Sequence, residues 1–346
     1  MQALKNGISA VFLSSVLFAC SGGGGGGGGG TAIGNSFIDP ATCVLPTNTV
    51  TITAANAEAV VSEVKGAIQT ILAFANADSV FIEFNNIVLP SNPAVVPCDM
   101  GGTATITLTG ANPPSMGDQL ATVFSNCVDA GDTINGAFTG TYTTINEVVA
   151  GVAGNVASVN NWDFVITGSS DNLRVNDSNI NVAADGDTTA NVVFSAAGVD
   201  LTSTATNTIL TGADNTGECV SIENANITST AMNVSTNPAA YTVNVNSAAA
   251  LAVASTELAG VVLAQTPATP FSGMEDLFDA GLGEIDKYFV ELDDTMPPTG
   301  GVLEITGNMS SITVTAMAGG LVQIDVDEDL GMAGFEATIM TTWGAL

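Results

Sequence analysis

The chain has 346 residues, of which 34 are acidic and 4 basic, giving a net charge of −30, and it contains no histidine. That balance excludes nucleic acid as a partner, because nothing is present to neutralise phosphates. It also excludes the imidazole-based sites: the Ser-His-Asp and Cys-His arrangements and the HExxH zinc site. No GxSxG elbow or P-loop lysine occurs either.

Residues 1–19 read as a signal peptide, with Lys5 ahead of an apolar run at 8–18. The run is too short to span a bilayer, which needs about 20 apolar residues. It ends in Leu17-Phe18-Ala19-Cys20, which resembles a lipobox, where the cysteine is acylated and becomes the first residue of the mature protein. An ordinary secretory peptide with a free Cys20 is the alternative. Residues 20–36 are then the lipidated cysteine and its linker, because an unbroken glycine run at 22–30 is a flexible coil. Its reach is about 17 Å, from 5–6 Å × √n. A glycine loop for a nucleotide would need a strand before it and a helix after it, and neither is present. Residues 37–346 read as a single β-rich domain, with a split near 150–160 as the alternative.

The four remaining cysteines, Cys43, Cys98, Cys127 and Cys219, form an even set in an exported chain and so imply disulfides. Three pairings are possible. Cys98–Cys127 is favoured because the two flank an expected hairpin, 103–110 and 120–128, and Cys43–Cys219 then follows by elimination.

In chain order, residues 54–76 carry the clearest helical period. Val60, Val64, Ala67/Ile68, Ile71/Leu72 and Ala75 form one apolar stripe, with Glu58, Ser62, Lys65 and Gln69 largely outside it and Thr53 placed to cap the start. Such a helix requires a sheet to lie against. From residue 80 the texture changes to short runs of Thr, Val, Ile and Phe with period-two alternation, at 80–89, 103–110, 120–128, 137–145, 163–170, 191–198, 241–247, 302–307, 311–317, 321–326 and 335–343. Gly, Asn and Asp punctuate them at hairpin spacing. A second, short helix is expected at 273–292, where Met274, Leu277/Phe278, Leu282, Ile285, Phe289 and Leu292 keep helical spacing despite Gly281 and Gly283. The expected fold is mainly β: a large curved antiparallel sheet or open barrel packed on an N-terminal helix.

The segments 124–140, 269–273, 300–317 and 324–343 (closing in IDVDEDLG…TTW) resemble a group of uncharacterised proteobacterial outer-membrane lipoproteins. These share the lipobox, the poly-Gly leash and a β-rich body ending in an Asp-rich hairpin and TTW. The resemblance implies an exported β-rich lipoprotein, and Ser21 rather than Asp after the cysteine implies sorting to the outer membrane. It carries no activity.

One constellation points to chemistry. Asp325, Asp327 and Asp329, followed by Glu336 eleven residues after the first, fall on side-chain positions 1, 3, 5 and 12 of an EF-type calcium loop, with the carbonyl of Gly331 at position 7. Calcium is the one cofactor the sequence suggests, pinning the last hairpin. The related lipoproteins carry Gly after the third Asp, where this chain has Leu330, a residue that resists the positive φ of the turn. The bland reading is a solvated acidic hairpin. Asp185 with Asp187 and Asp129 with Asp132 read as turn residues, and Trp162 and Trp343 as core anchors. Three functions follow. One is a membrane-anchored envelope lipoprotein with a structural or partner-binding body, held to the membrane by the lipid on Cys20, its protein partner unspecified. The second is a carrier of a hydrophobic ligand between sheet and helix. The third is a carboxylate-dependent glycoside hydrolase, which needs two acids about 5 Å or about 6.5–9.5 Å apart.

Overall fold

The computed structural model describes residues 43–75, 91–98, 100–111, 115–129, 132–145, 162–176, 180–195, 198–214, 219–232, 238–245, 250–267, 269–279, 284–285, 290, 292, 294–330 and 334–346. The signal peptide, Cys20, the glycine linker, the expected strand at 80–89 and Gly331 lie outside the described residues. One helix, α1 (Ala57–Ala75), precedes the strands β1 (Ala94–Pro97), β2 (Gly101–Thr109), β3 (Gln119–Asp129), β4 (Asp132–Ile145), β5 (Trp162–Asn176) and β6 (Ile180–Ser195). Then come β7 (Gly198–Asp214), β8 (Cys219–Met232), β9 (Ala239–Val245), β10 (Leu251–Ser255), β11 (Gly260–Gln265) and β12 (Phe271–Glu275). The last are β13 (Phe278–Asp279), β14 (Glu284–Ile285), β15 (Val302–Thr306), β16 (Ser311–Met317), β17 (Leu321–Asp327) and β18 (Ala337–Thr342).

All but β13 and β14 join one 16-stranded antiparallel sheet. It is a meander from β1 to β8, continuous across β4 and β5. At β8 it forks. Val220–Glu223 pair with β10 and lead on through β11, β15, β16 and β17 to β18, whereas Ile227–Met232 pair with β9, which pairs with β12. Asn224, between the two halves, has φ of +58°, and the β7–β8 register shifts at Thr208, so a bulge bends the strand where the sheet divides. Among the described residues the end strands β1 and β18 do not pair with each other, and the sheet they bound is open.

Long polar strands hold together through their register. Thr109, Gln119, Thr141, Thr167, Thr189, Thr204, Thr228 and Asn244 are successive partners across eight strands. Hydrogen bonds cross this row, from Gln119 Nε2 to Thr141 Oγ1 at 3.3 Å and between the hydroxyls of Thr204 and Thr228 at 3.2 Å. Cross-strand pairs of this kind contribute about 0.2–1 kcal/mol each.

The helix fills the concave side. It packs against the neighbouring strands β7, β8 and β10 and also against β17, which lies well beyond them in sheet order, so the sheet must curve around it. Val60, Val61, Val64, Ala67, Ile68, Ile71 and Leu72 are buried against inward residues such as Ile222, Leu251, Val253, Ile324 and Val326. Burying each large aliphatic side chain contributes about 1.5–3 kcal/mol. Asn56, not Thr53, stands at the helix start: its carbonyl accepts the first helical bond from Val60, and its Oδ1 accepts the Thr53 N–H at 2.8 Å. Lys65, expected outside the apolar stripe, is buried as well. Its ammonium donates to Asp294 Oδ1 (2.6 Å), the Trp343 carbonyl (2.8 Å) and the Leu346 carbonyl (3.1 Å), and lies 5.3 Å from the centre of the Trp343 ring. Trp343 is a core anchor, its Nε1 donating to the Leu292 carbonyl and its ring edge-on to Phe271.

The expected second helix at 273–292 is corrected: none of its described residues is helical, and they include the end of β12 and the short pair β13–β14. Gly273, Gly281 and Gly283 depress helix propensity, and β9 offers Phe271–Glu275 a ladder of backbone hydrogen bonds that helical spacing could not reveal.

Two disulfides staple the fold, Cys98–Cys127 and Cys43–Cys219, with Cα separations of 5.4 and 5.8 Å. The first reaches from the end of β1 across β2 to the β3 bulge between Phe124 and Cys127. The second ties the N-terminal segment to the start of β8. Residues 48–52 are laced on further by hydrogen bonds from Val50 N–H to Val261 O, Asn308 N–H to Val50 O and Ile52 N–H to Ser310 Oγ. A Cβ at Gly260 would meet Asn48 O at 2.7 Å, and one at Gly307 would meet Val50 O at 2.3 Å, so these glycines admit the segment. Among the described residues no helix is long and apolar enough to cross a membrane.

Candidate metal centre

The last hairpin is built on β17 and β18, paired from Leu321↔Thr342 to Val326↔Ala337. Glu336 extends the ladder, its N–H donating to the Val326 carbonyl at 2.9 Å. Where β17 ends, Asp327 Oδ1 accepts the N–H groups of Asp329 (3.2 Å) and Leu330 (2.8 Å), which turns the chain. Leu330 takes the left-handed conformation, φ +46°, that its side chain was expected to resist. The turn therefore forms at a cost of about 1–2 kcal/mol. Glu336 Oε2 accepts the Glu328 N–H at 2.7 Å and so folds back over the turn.

The result is that Asp327, Asp329 and Glu336 each place a carboxylate oxygen within 4.8 Å of the other two. Oxygens this close could share one ion after a small movement of the loop, since calcium takes its ligands at about 2.3–2.6 Å. The donor set, all hard carboxylate oxygen, also suits calcium rather than a soft metal. Asp325 is not in this group. It is still on the extended strand, where residues two apart are separated by about 6.7 Å, and its oxygens are engaged by Thr338 Oγ1 at 2.6 Å and Gln323 Nε2 at 2.7 Å. The EF-type pattern does not gather its four acids as numbered: Asp325, its position 1, falls inside β17, and the cluster comprises Asp327, Asp329 and Glu336 alone.

Glu328, which the loop pattern passes over, ties the hairpin to the helix. Its Oε1 accepts the Ala54 N–H at 2.8 Å, in the turn that leads into α1, where a negative charge meets the positive end of the helix dipole. That partner is 274 residues away in sequence, and no local signal announces it. Of the weaker candidates, Asp129 and Asp132 flank the β3–β4 turn as expected. Asp185 and Asp187 instead lie within β6, on either side of a register shift.

Sequence reasoning also missed a buried acid. Glu275 on β12 is 1% exposed. Its neighbour Tyr241 on β9 is buried with a hydroxyl that has no hydrogen-bond partner. Burial first, and then the charge of Glu275, hold the Tyr241 phenol above its usual range. Glu275 and Tyr241 are a carboxylate and a phenol, whereas a glycosidase works with two carboxylates. No family model matches the chain, and neither does any curated protein or solved structure.

Proposed function

We propose that this is an outer-membrane lipoprotein, anchored by a lipid on Cys20 and a glycine leash, whose β-rich body serves a structural or partner-binding role in the envelope. The observation that favours this role is the helix-filled concave face. A carrier needs an apolar cavity between sheet and helix, and here the α1 stripe occupies that side of the sheet. Two disulfides suit a protein that works in an oxidising, exported compartment. Calcium at Asp327, Asp329 and Glu336 would pin the last hairpin and offset the mutual repulsion of three close carboxylates.

Fractionation of cells expressing the full chain tests the anchor. The wild-type protein should sediment with outer membranes and need detergent for release, whereas the Cys20→Ala variant should be soluble. Equal solubility of the two would remove the lipoprotein reading.

A further inference from the structure

The two ends of the open sheet are finished differently. At β1, Pro93 and Pro97 flank or occupy a four-residue strand whose inward residues, Ala94 and Val96, are buried. Proline and a short strand are the devices that protect a sheet edge from adding another strand. At β18, ATIMTT, there is no proline, no glycine and no charge. Among the described residues nothing pairs with its outer edge. Its inward side chains are only half-buried, and Met340 on the outer face is 54% exposed. Phe335, at the foot of the strand, is exposed to the same 54%. One end of this edge carries concentrated charge, since Asp327, Asp329 and Glu336 cluster where β18 begins.

We propose that β18 is a docking edge that takes up an extended segment of a partner protein as an added strand. The segment has apolar residues at alternate positions and a lysine or arginine at the end that falls beside Asp327, Asp329 and Glu336. Main-chain hydrogen bonds along the edge supply attachment, and the acidic end selects the partner and fixes its direction. A second copy of this chain is disfavoured as occupant, because a net charge of −30 makes like molecules repel. The inference rests on the body being a partner-binding domain, and it does not depend on the lipid anchor.

The test uses the full chain in detergent, treated with chelator, and two synthetic extended peptides of alternating threonine and valine. One ends in lysine and the other in glutamate. Hydrogen exchange should slow at least tenfold at residues 337–342 when the lysine peptide is added, with no change at residues 94–97. The glutamate peptide should bind at least tenfold more weakly. Met340→Lys, at an exposed position that leaves the fold intact, should abolish the protection. The double variant Asp327→Asn with Glu336→Gln should erase the preference for lysine over glutamate while leaving residual binding. Millimolar calcium should weaken the lysine peptide by competing for the same carboxylates. Absence of protection at 337–342, equal protection at 94–97, or equal binding of both peptides would overturn the proposal. A concentration-dependent dimer lost in Met340→Lys would overturn it in favour of a second copy. None of these results alters the outcome of the Cys20→Ala fractionation.

Discussion

Replacing Lys65 by methionine isolates what holds residues 343–346 against the helix. The substitution keeps the apolar burial of the side-chain stem and removes only the ammonium. Two carbonyls, those of Trp343 and Leu346, then lose a charged donor. Hydrogen bonds to charged groups contribute about 1.5–3 kcal/mol each. Part of that is recovered because a charge no longer has to be buried, so the expected loss is about 2–4 kcal/mol. The ion pair itself contributes less. The Asp294 side chain is 52% exposed, and a pair with one partner in solvent contributes below about 1 kcal/mol. Urea denaturation followed by tryptophan fluorescence should therefore show Lys65→Met well below wild type and Asp294→Asn close to it. The reasoning fails if Asp294→Asn costs as much as Lys65→Met, which would make the ion pair dominant. It fails too if Lys65→Met changes stability by less than about 0.5 kcal/mol, the range of an ordinary surface substitution.

Three further outcomes follow from the same structure. Ile68→Ala, at a fully enclosed position of α1, should cost about 2–5 kcal/mol by urea denaturation, because the sheet cannot collapse into the gap. Calcium at 100 times its dissociation constant should stabilise the protein by about 2.7 kcal/mol in thermal or urea unfolding. That gain should be lost in Asp327→Asn and retained in Asp325→Asn, whose carboxylate is engaged by Thr338 and Gln323 instead. Tyr142, through burial, and Tyr241, through burial and then Glu275, both hold their protons above the ordinary value of 10.0. The native state then keeps protons that the unfolded chain releases. Stability is therefore complete below about pH 10 and falls above it by about 1.4 kcal/mol per pH unit for each tyrosine. Tyr241→Phe should halve that slope and be neutral or stabilising at pH 7, since its hydroxyl has no partner.

What could be read in advance was local. The α1 stripe declares itself by its period, and β2 and β3 by alternation around a turn, so the helix, the hairpin and through them the Cys98–Cys127 pair were all legible. Alternation in β6 and β7 sets threonine and asparagine against alanine, a weak contrast in hydrophobicity. Of β6 only the end, from residue 191, was expected as strand, and β7 not beyond Gly198, because the row of cross-strand partners that supports them is a property of register. The 273–292 stretch misled because its apolar residues fit a helical spacing, whereas β9, the partner of its first part, lies about 30 residues upstream in the register Phe271↔Val243. At the candidate metal centre three of the four expected acids, Asp327, Asp329 and Glu336, lie together, and Asp325 does not. The loop's phase was displaced because β17 runs on to Asp327, and Glu328 was passed over because its partner is at the helix.

The central claim is a lipid-tethered body whose interior is filled by its own helix, and native mass spectrometry of the full chain extracted from membranes tests it most directly. The account predicts a polypeptide beginning at Cys20, with covalent lipid on that residue and no other lipid bound. An unmodified Cys20 would contradict the tether. A lipid held non-covalently in fixed stoichiometry would contradict the filled interior and make the protein a carrier.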